Sequence, residues 1–241
     1  MPSRLGYLVV ALGVAVRLSH PASAAEPLSF GVLAAPPYGL ERADKTVSGA
    51  NYDIAELIAA KVGLTFDYRL EPLARLVNDI KVGRLDLMIM IARDELKQFA
   101  LAEIMPNDSV VLTKAGSSIA QYADLKGRTV AVLRSAVYDQ RFASDDDIKK
   151  YEVDSYAIGL RMTMGGRVDG MIGPGFALYY QIVLEGMKRG DFGTPLVLNT
   201  RMLSLFGSKS IPPELAAKLK AAVEELRSSG AITAIAAKYG E

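Results

Sequence analysis

GRVDGMIGPG, residues 166–175, repeats a phrase met earlier as GRLDLMIMIA, residues 83–92. Five of the first seven positions agree, in the pattern G-R-x-D-x-M-I. Each copy reads as a helix-stopping glycine, an arginine, a turn aspartate and then a buried strand. The first strand runs out into Arg93, the second into Gly173-Pro174-Gly175.

The flanking sequence gives each copy the same setting. Residues 28–33 are a short apolar strand candidate. Asn51 can cap a helix whose apolar residues Ile54, Leu57, Ile58 and Val62 recur at helical spacing, with Gly63 closing it. Leu64, Phe66, Tyr68 and Leu70 alternate with polar neighbours, the period of a half-buried strand. Pro72 opens a second helix with Leu73, Leu76, Val77 and Ile80 on one face, and Gly83 stops it. The order β-α-β-α-β implies parallel pairing with right-handed crossovers.

The same rhythm returns later. A turn at 124–127 leads to a strand at 129–133 and a helix at 136–143. A short strand at 151–153, a helix at 158–164, a strand at 168–172 and a helix at 176–187 follow. Residues 196–199 and 202–206 are strand-like. Pro212-Pro213 starts a helix with Leu215, Leu219, Ala222, Val223 and Leu226 on one face, and a last short helix runs to Tyr239. The expected fold class is therefore α/β with two lobes, each a mixed, mostly parallel sheet flanked by helices. Residues 25–113 and 195–241 form lobe 1 and residues 114–194 lobe 2. Two chain crossings join them, which makes a hinge rather than a flexible linker.

The N-terminus reads as a secretory leader, residues 1–24. Arg4 is its basic start, residues 5–16 are apolar, and Ala22-Ser23-Ala24 is a small-x-small cleavage site. The apolar run is shorter than the ~20 residues a bilayer span needs. The chain carries 28 basic and 27 acidic residues, so no basic excess exists to grip nucleic acid. It has no cysteine, and its one histidine, His20, falls in the leader. Disulfides, thiolate nucleophiles, Ser-His catalysis and His- or Cys-ligated zinc are thereby excluded from the mature chain. The expectation is a binding protein rather than an enzyme, with no cofactor and no metal.

The chain resembles the bacterial extracellular solute-binding proteins of family 3, the periplasmic receptors of amino-acid importers. The resemblance rests on an ordered set. Its members are Pro36-Pro37-Tyr38, Gly49-Ala50-Asn51-Tyr52-Asp53-Ile54, both copies of the repeated phrase, Asp124-Leu125-Lys126-Gly127-Arg128-Thr129-Val130-Ala131-Val132, and the tail from Ser208-Lys209 to Lys238-Tyr239. It implies a type II periplasmic-binding-protein fold that closes on a small polar solute. It also implies a periplasmic location, a monomer, and delivery to an inner-membrane ABC permease.

The family's amino-acid-binding positions are altered here. Ala35 stands where an aromatic packs on the ligand. Met90-Ile91-Ala92 replaces small hydroxyl residues, and the carboxylate-clamping arginine aligns with Leu96 or Lys97, a few residues beyond Arg93. Arg134-Ser135-Ala136-Val137 replaces a Gly-Thr-Thr-like turn. Gly173 stands where an acid meets the α-ammonium. An ammonium buried without a charged partner is costly, so the expected ligand is not an ordinary α-amino acid.

In open parallel sheets ligands lie at the carboxyl ends of strands. This singles out Arg93, which can fork onto a carboxylate, and Gly173 with Pro174, where backbone approaches closely. Arg134 and Ser135 sit at the expected start of the 136–143 helix, where N–H groups favour anions. Tyr138 lies one turn on, Tyr38 in the first strand–helix loop, and Arg75 in the first turn of the second helix. Two other readings accompany the receptor: an accessory protein of the same fold serving a periplasmic dehydrogenase, and a cleft enzyme such as a dehydratase.

Overall fold

The computed structural model describes residues 27–134 and 136–240. The leader and Ser135 lie outside them. The chain runs β1 (Leu28–Leu33), a small ribbon of β2 (Leu40–Glu41) and β3 (Val47–Ser48), α1 (Ala50–Val62), β4 (Phe66–Glu71), α2 (Leu73–Val82) and β5 (Leu87–Ile91). A 3-10 turn at Asp94–Phe99 leads into the long β6 (Ala100–Thr113). There follow β7 (Thr129–Leu133), α3 (Gln140–Ser144), β8 (Lys149–Val153), α4 (Tyr156–Met164), β9 (Gly170–Pro174) and α5 (Gly175–Leu184). The long β10 (Leu196–Gly207), α6 (Pro213–Ser228) and α7 (Ala231–Lys238) complete it.

The strand order is β4-β1-β5-β10-β6-β9-β7-β8. Within each half the pairing is parallel, β1 with β4 and β5, and β7 with β8 and β9. The two crossings were expected as segments near residues 114 and 195. They are instead β6 and β10, which pair antiparallel with each other along most of their length and serve both halves. The C-terminal part of β10 pairs with β5, and the C-terminal part of β6 pairs with β9. The two expected sheets are therefore joined into one hydrogen-bonded ladder, with register shifts in the β6–β10 ribbon between Val197 and Asn199, Leu203 and Ser204, and Leu205 and Phe206.

Helices cover both faces, so the central strands are apolar throughout rather than alternating. Along β5, Leu87 and Ile89 face a core with Phe30, Ile54, Ile58 and Val223. Met88 and Met90 face another with Leu76, Ile80 and Phe206. In the other half Ala131 and Met171 pack with Leu160 and Leu178, while Val130 and Ile172 pack with Phe142. The halves also touch behind the sheet. Phe176 and Ala177 of α5 join the first half's core. The chain end is held from both sides: Lys238 Nζ and Tyr239 Oη donate to Asp53 at 2.7 and 3.0 Å, and Arg189 Nη1 donates to the Gly240 carbonyl at 3.1 Å.

The repeated phrase does the same work twice. Gly83 and Gly166 have φ of 74° and 67°, the left-handed conformation that ends a helix. Asp86 Oδ2 accepts from Ser29 N at 2.9 Å, and Asp169 Oδ2 accepts from Thr129 N at 2.8 Å. Each aspartate thus fastens the first residues of the parallel strand beside it, β1 or β7. Asn51 departs from its expected role. Gly49 is the N-cap of α1, and Asn51 lies inside the helix, fully buried, donating to the Ile89 carbonyl at 2.8 Å.

Candidate ligand cleft

The carboxyl ends of β5, β7, β8 and β9 converge on one cavity of about 740 Å³, ample for a small ligand. The first half lends Leu73, Ile91 and Arg93. The crossing strands lend Asn107, Ser109 and Arg201 as floor. The second half lends Leu133, Arg134, Tyr138, Val153, Asp154 and Pro174. Arg93 and Pro174 thus stand on opposite walls of one space.

Arg93 has extended backbone, φ −135° and ψ 148°, and prolongs the line of β5. Leu203 pairs with Ile91, and Ala92 N donates to the Met202 carbonyl at 2.7 Å. Arg93 and Arg201 are the next residues along these two segments. Both guanidiniums line the cavity and both are exposed. The acids beside Arg93 are engaged elsewhere, Asp94 with Lys97 at 2.8 Å and Glu95 with Lys81. Among the described residues no carboxylate forms an ion pair with Arg93 or Arg201.

Arg134 is placed differently from its expected role. The 136–143 helix is only α3, five residues starting at Gln140, because Asp139 caps it by accepting from Phe142 N at 2.8 Å. Arg134 therefore sits in a turn at the end of β7. Its Nε and Nη2 both donate to Asp154 Oδ1 at 3.1 Å, and its Nη1 to Glu152 Oε2 at 2.9 Å. Among the described residues Asp154 is the one carboxylate lining the cavity, and this arginine already holds it.

Tyr138 lies in the same turn. Its hydroxyl meets that of Tyr156 at 2.9 Å, and burial raises the pKa of both phenols, so both stay neutral in this seam. Its carbonyl receives three donors: Ser109 Oγ at 3.2 Å, Asn199 Nδ2 at 2.9 Å and Arg201 Nη2 at 3.1 Å. A carbonyl oxygen has two lone pairs, so one donor is in excess.

Pro174 is on the wall, but Gly173 stands one layer behind it and is not among the lining residues. A Cβ there would meet Tyr156 Cε1 at 2.8 Å, so Tyr156 occupies the space a side chain would need. Tyr38 is not on the wall either. It is 5% exposed, edge-on to Phe176 at 5.6 Å, with its hydroxyl accepting from Asn107 Nδ2 at 3.1 Å. Its contact with the cavity runs through Asn107, whose buried Oδ1 has no hydrogen-bond partner among the described residues. Arg75 is on the exposed face of α2, near Asp79, whose pKa its charge helps lower, and away from the cavity lining.

The sequence reading missed Arg201, Asn107 and Asp154. Arg201 was hidden in the polar pair Thr200-Arg201 between the two expected strands, 196–199 and 202–206.

Two half-sheets joined by a shared ribbon, with a polar cavity at their facing strand ends, define a two-lobed binding protein of the type II periplasmic class. The chain belongs to the bacterial extracellular solute-binding proteins, family 3, whose model matches residues 28–241. It is 25% identical over 201 residues to the "Probable amino-acid-binding protein YxeM" of Bacillus subtilis (strain 168), covering 80% of this chain and 76% of that one. It is 26% identical to the "L-arginine-binding protein" of Pseudomonas aeruginosa in an alignment of 251 residues, covering 96% and 95%. Among solved structures, the "Ancestral Cationic Amino Acid Solute Binding Protein (AncCDT-1)" superposes with a TM-score of 0.75 at 17% identity, covering 89% of this chain and 96% of that one. The second substrate-binding domain of Lactococcus lactis GlnP, in open conformation, gives 0.70 at 18%, covering 89% and 94%. Among the described residues no helix is long and apolar enough to cross a membrane.

Proposed function

We propose that the chain is a periplasmic solute receptor that closes on a small polar ligand without a cationic group and delivers it to an inner-membrane ABC permease. The leader, a monomeric state and the lobe boundaries given above belong to the same reading. One observation carries it. Among the described residues the cavity presents three guanidiniums and one lining carboxylate, Asp154, already held by Arg134. A free α-ammonium entering here meets mostly like charge and no unpaired acid. The names of the relatives speak for amino acids, so the departure lies in the site and not in the fold.

Closure follows from ligand contacts made to both lobes, and only a difference in affinity between open and closed forms shifts that equilibrium. The test is a thermal-shift screen of the purified protein. A true ligand at a hundred times its Kd stabilises by ~2.7 kcal/mol, roughly 5–10 °C for a chain of this size. Carboxylates or neutral polar solutes should give that shift and free amino acids should not. Clear stabilisation by several free amino acids overturns the reading, and a stable complex with a dehydrogenase without any solute effect would favour the accessory role.

A further inference from the structure

We propose that Arg93 and Arg201 together form a two-guanidinium seat, and that the cleft's ligand is therefore a small organic dianion. The inference rests on the receptor reading above and narrows it. Arg93 and Arg201 both line the cavity, each the next residue along its chain from the bond of Ala92 N to the Met202 carbonyl. Two like charges lining one cavity repel. In the open, solvated cleft water screens that repulsion. Closing the cleft strips the water and makes two uncompensated guanidiniums costly unless a counter-charge enters with the closing lobe.

Asp94 and Glu95 feel the charges of Arg201 and Arg93, but each is bonded chiefly to a lysine, Lys97 and Lys81, and, among the described residues, forms an ion pair with neither arginine. Asp154 and Glu152 are both held by Arg134. A single carboxylate would leave one of the two guanidiniums uncompensated, whereas a dianion neutralises both. Each guanidinium can also grip acid oxygens through two parallel hydrogen bonds.

Arg201 donates to the Tyr138 carbonyl through Nη2. It is the exposed one of three donors on the Tyr138 carbonyl, which Ser109 and Asn199 already satisfy. Leaving that carbonyl for a ligand orphans nothing. Two separate carboxylates and one phosphate monoester present the same double charge, and the probes must tell them apart.

The experiment is calorimetric titration of the wild-type protein with succinate, glycerol phosphate, lactate, glycerol and arginine, at a pH where the first two are doubly ionised. Arg201→Gln, Arg201→Lys and Arg93→Gln follow. One of the two dianions should bind at least about tenfold tighter than lactate, and which one does identifies the acid group. Arg201→Gln should weaken that dianion between about tenfold and a hundredfold while leaving lactate within about threefold. Arg201→Lys, which keeps the charge and loses the fork, should fall between. A role confined to bracing the Tyr138 turn would weaken all solutes alike and overturns the proposal. Lactate or glycerol binding as tightly as either dianion also overturns it and leaves the receptor reading standing. Arginine binding more tightly than every anion ends both, and binding of none of the five ends the dianion seat.

Discussion

The ring of Tyr156 lies over Gly173 so closely that a Cβ on that glycine would stand 2.8 Å from Tyr156 Cε1 and 3.3 Å from Leu178 Cδ2. The altered family position is thus not an empty place awaiting an acid. A phenol has taken it, and that phenol is tied to the Tyr138 hydroxyl.

Restoring an acid alone should therefore fail. Gly173→Asp is expected to destabilise the fold by about 1–3 kcal/mol through overpacking, with no gain in amino-acid affinity. Gly173→Asp with Tyr156→Ala gives the new carboxylate room, and affinity for free amino acids should appear. Denaturant midpoints and calorimetry on both variants check this. Amino-acid binding by the single variant would show that Tyr156 yields easily.

The repeated phrase makes a matched pair of predictions. Asp86 accepts from both the N–H and the hydroxyl of Ser29, at 2.9 and 2.7 Å. Asp86→Ala should cost about 1–3 kcal/mol, whereas Asp86→Asn keeps an acceptor and should cost less. The same ordering is expected at Asp169, which receives Thr129 N. Equal losses for Ala and Asn would mean that charge, rather than strand fastening, is what these aspartates supply.

Alkaline pH should expose the buried phenols. Burial raises Tyr138 and Tyr156, while Tyr122, partly desolvated and bonded to Asp145, is pushed up to about 12. A raised folded-state pKa means that the neutral phenol is favoured by folding. Its stabilisation is full below the ordinary tyrosine value near 10 and is lost as pH climbs from there towards the folded value. Urea midpoints should fall between about pH 10 and 12, and Tyr156→Phe should flatten that fall. Tyrosinate absorbance in the native protein should lag behind that of the unfolded chain, and coincident curves would contradict the burial.

Most of the architecture was written plainly in the chain. Apolar periodicity marked the strands at each sheet end, and glycines at 63, 83 and 166 marked helix stops. What stayed hidden came from long-range pairing. In β6 the burial pattern changes as the strand passes from one half to the other, and Pro106 breaks its reading as a strand. In β10 the polar pair Thr200 and Arg201, of which Arg201 lines the cleft, left a gap in the apolar pattern where one strand runs through. At the site, Arg93 and Pro174 followed from the strand-end rule. Tyr38 and Gly173 did not reach the wall, because Asn107 and Tyr156, distant in sequence, stand between them and it. The short α3 turned on one competing acceptor, Asp139, which capped the helix later than its apolar residues suggested.

The shared ribbon also bears on how the cleft closes. Arg201 pairs with Asn107 within the β6–β10 ribbon. The register shift between Val197 and Asn199 lies farther along, towards the second lobe. Bending there would move Arg134, Tyr138 and Pro174 relative to the backbone that carries Arg201. A guest would thus rest on a floor whose main chain holds still while the roof swings over it.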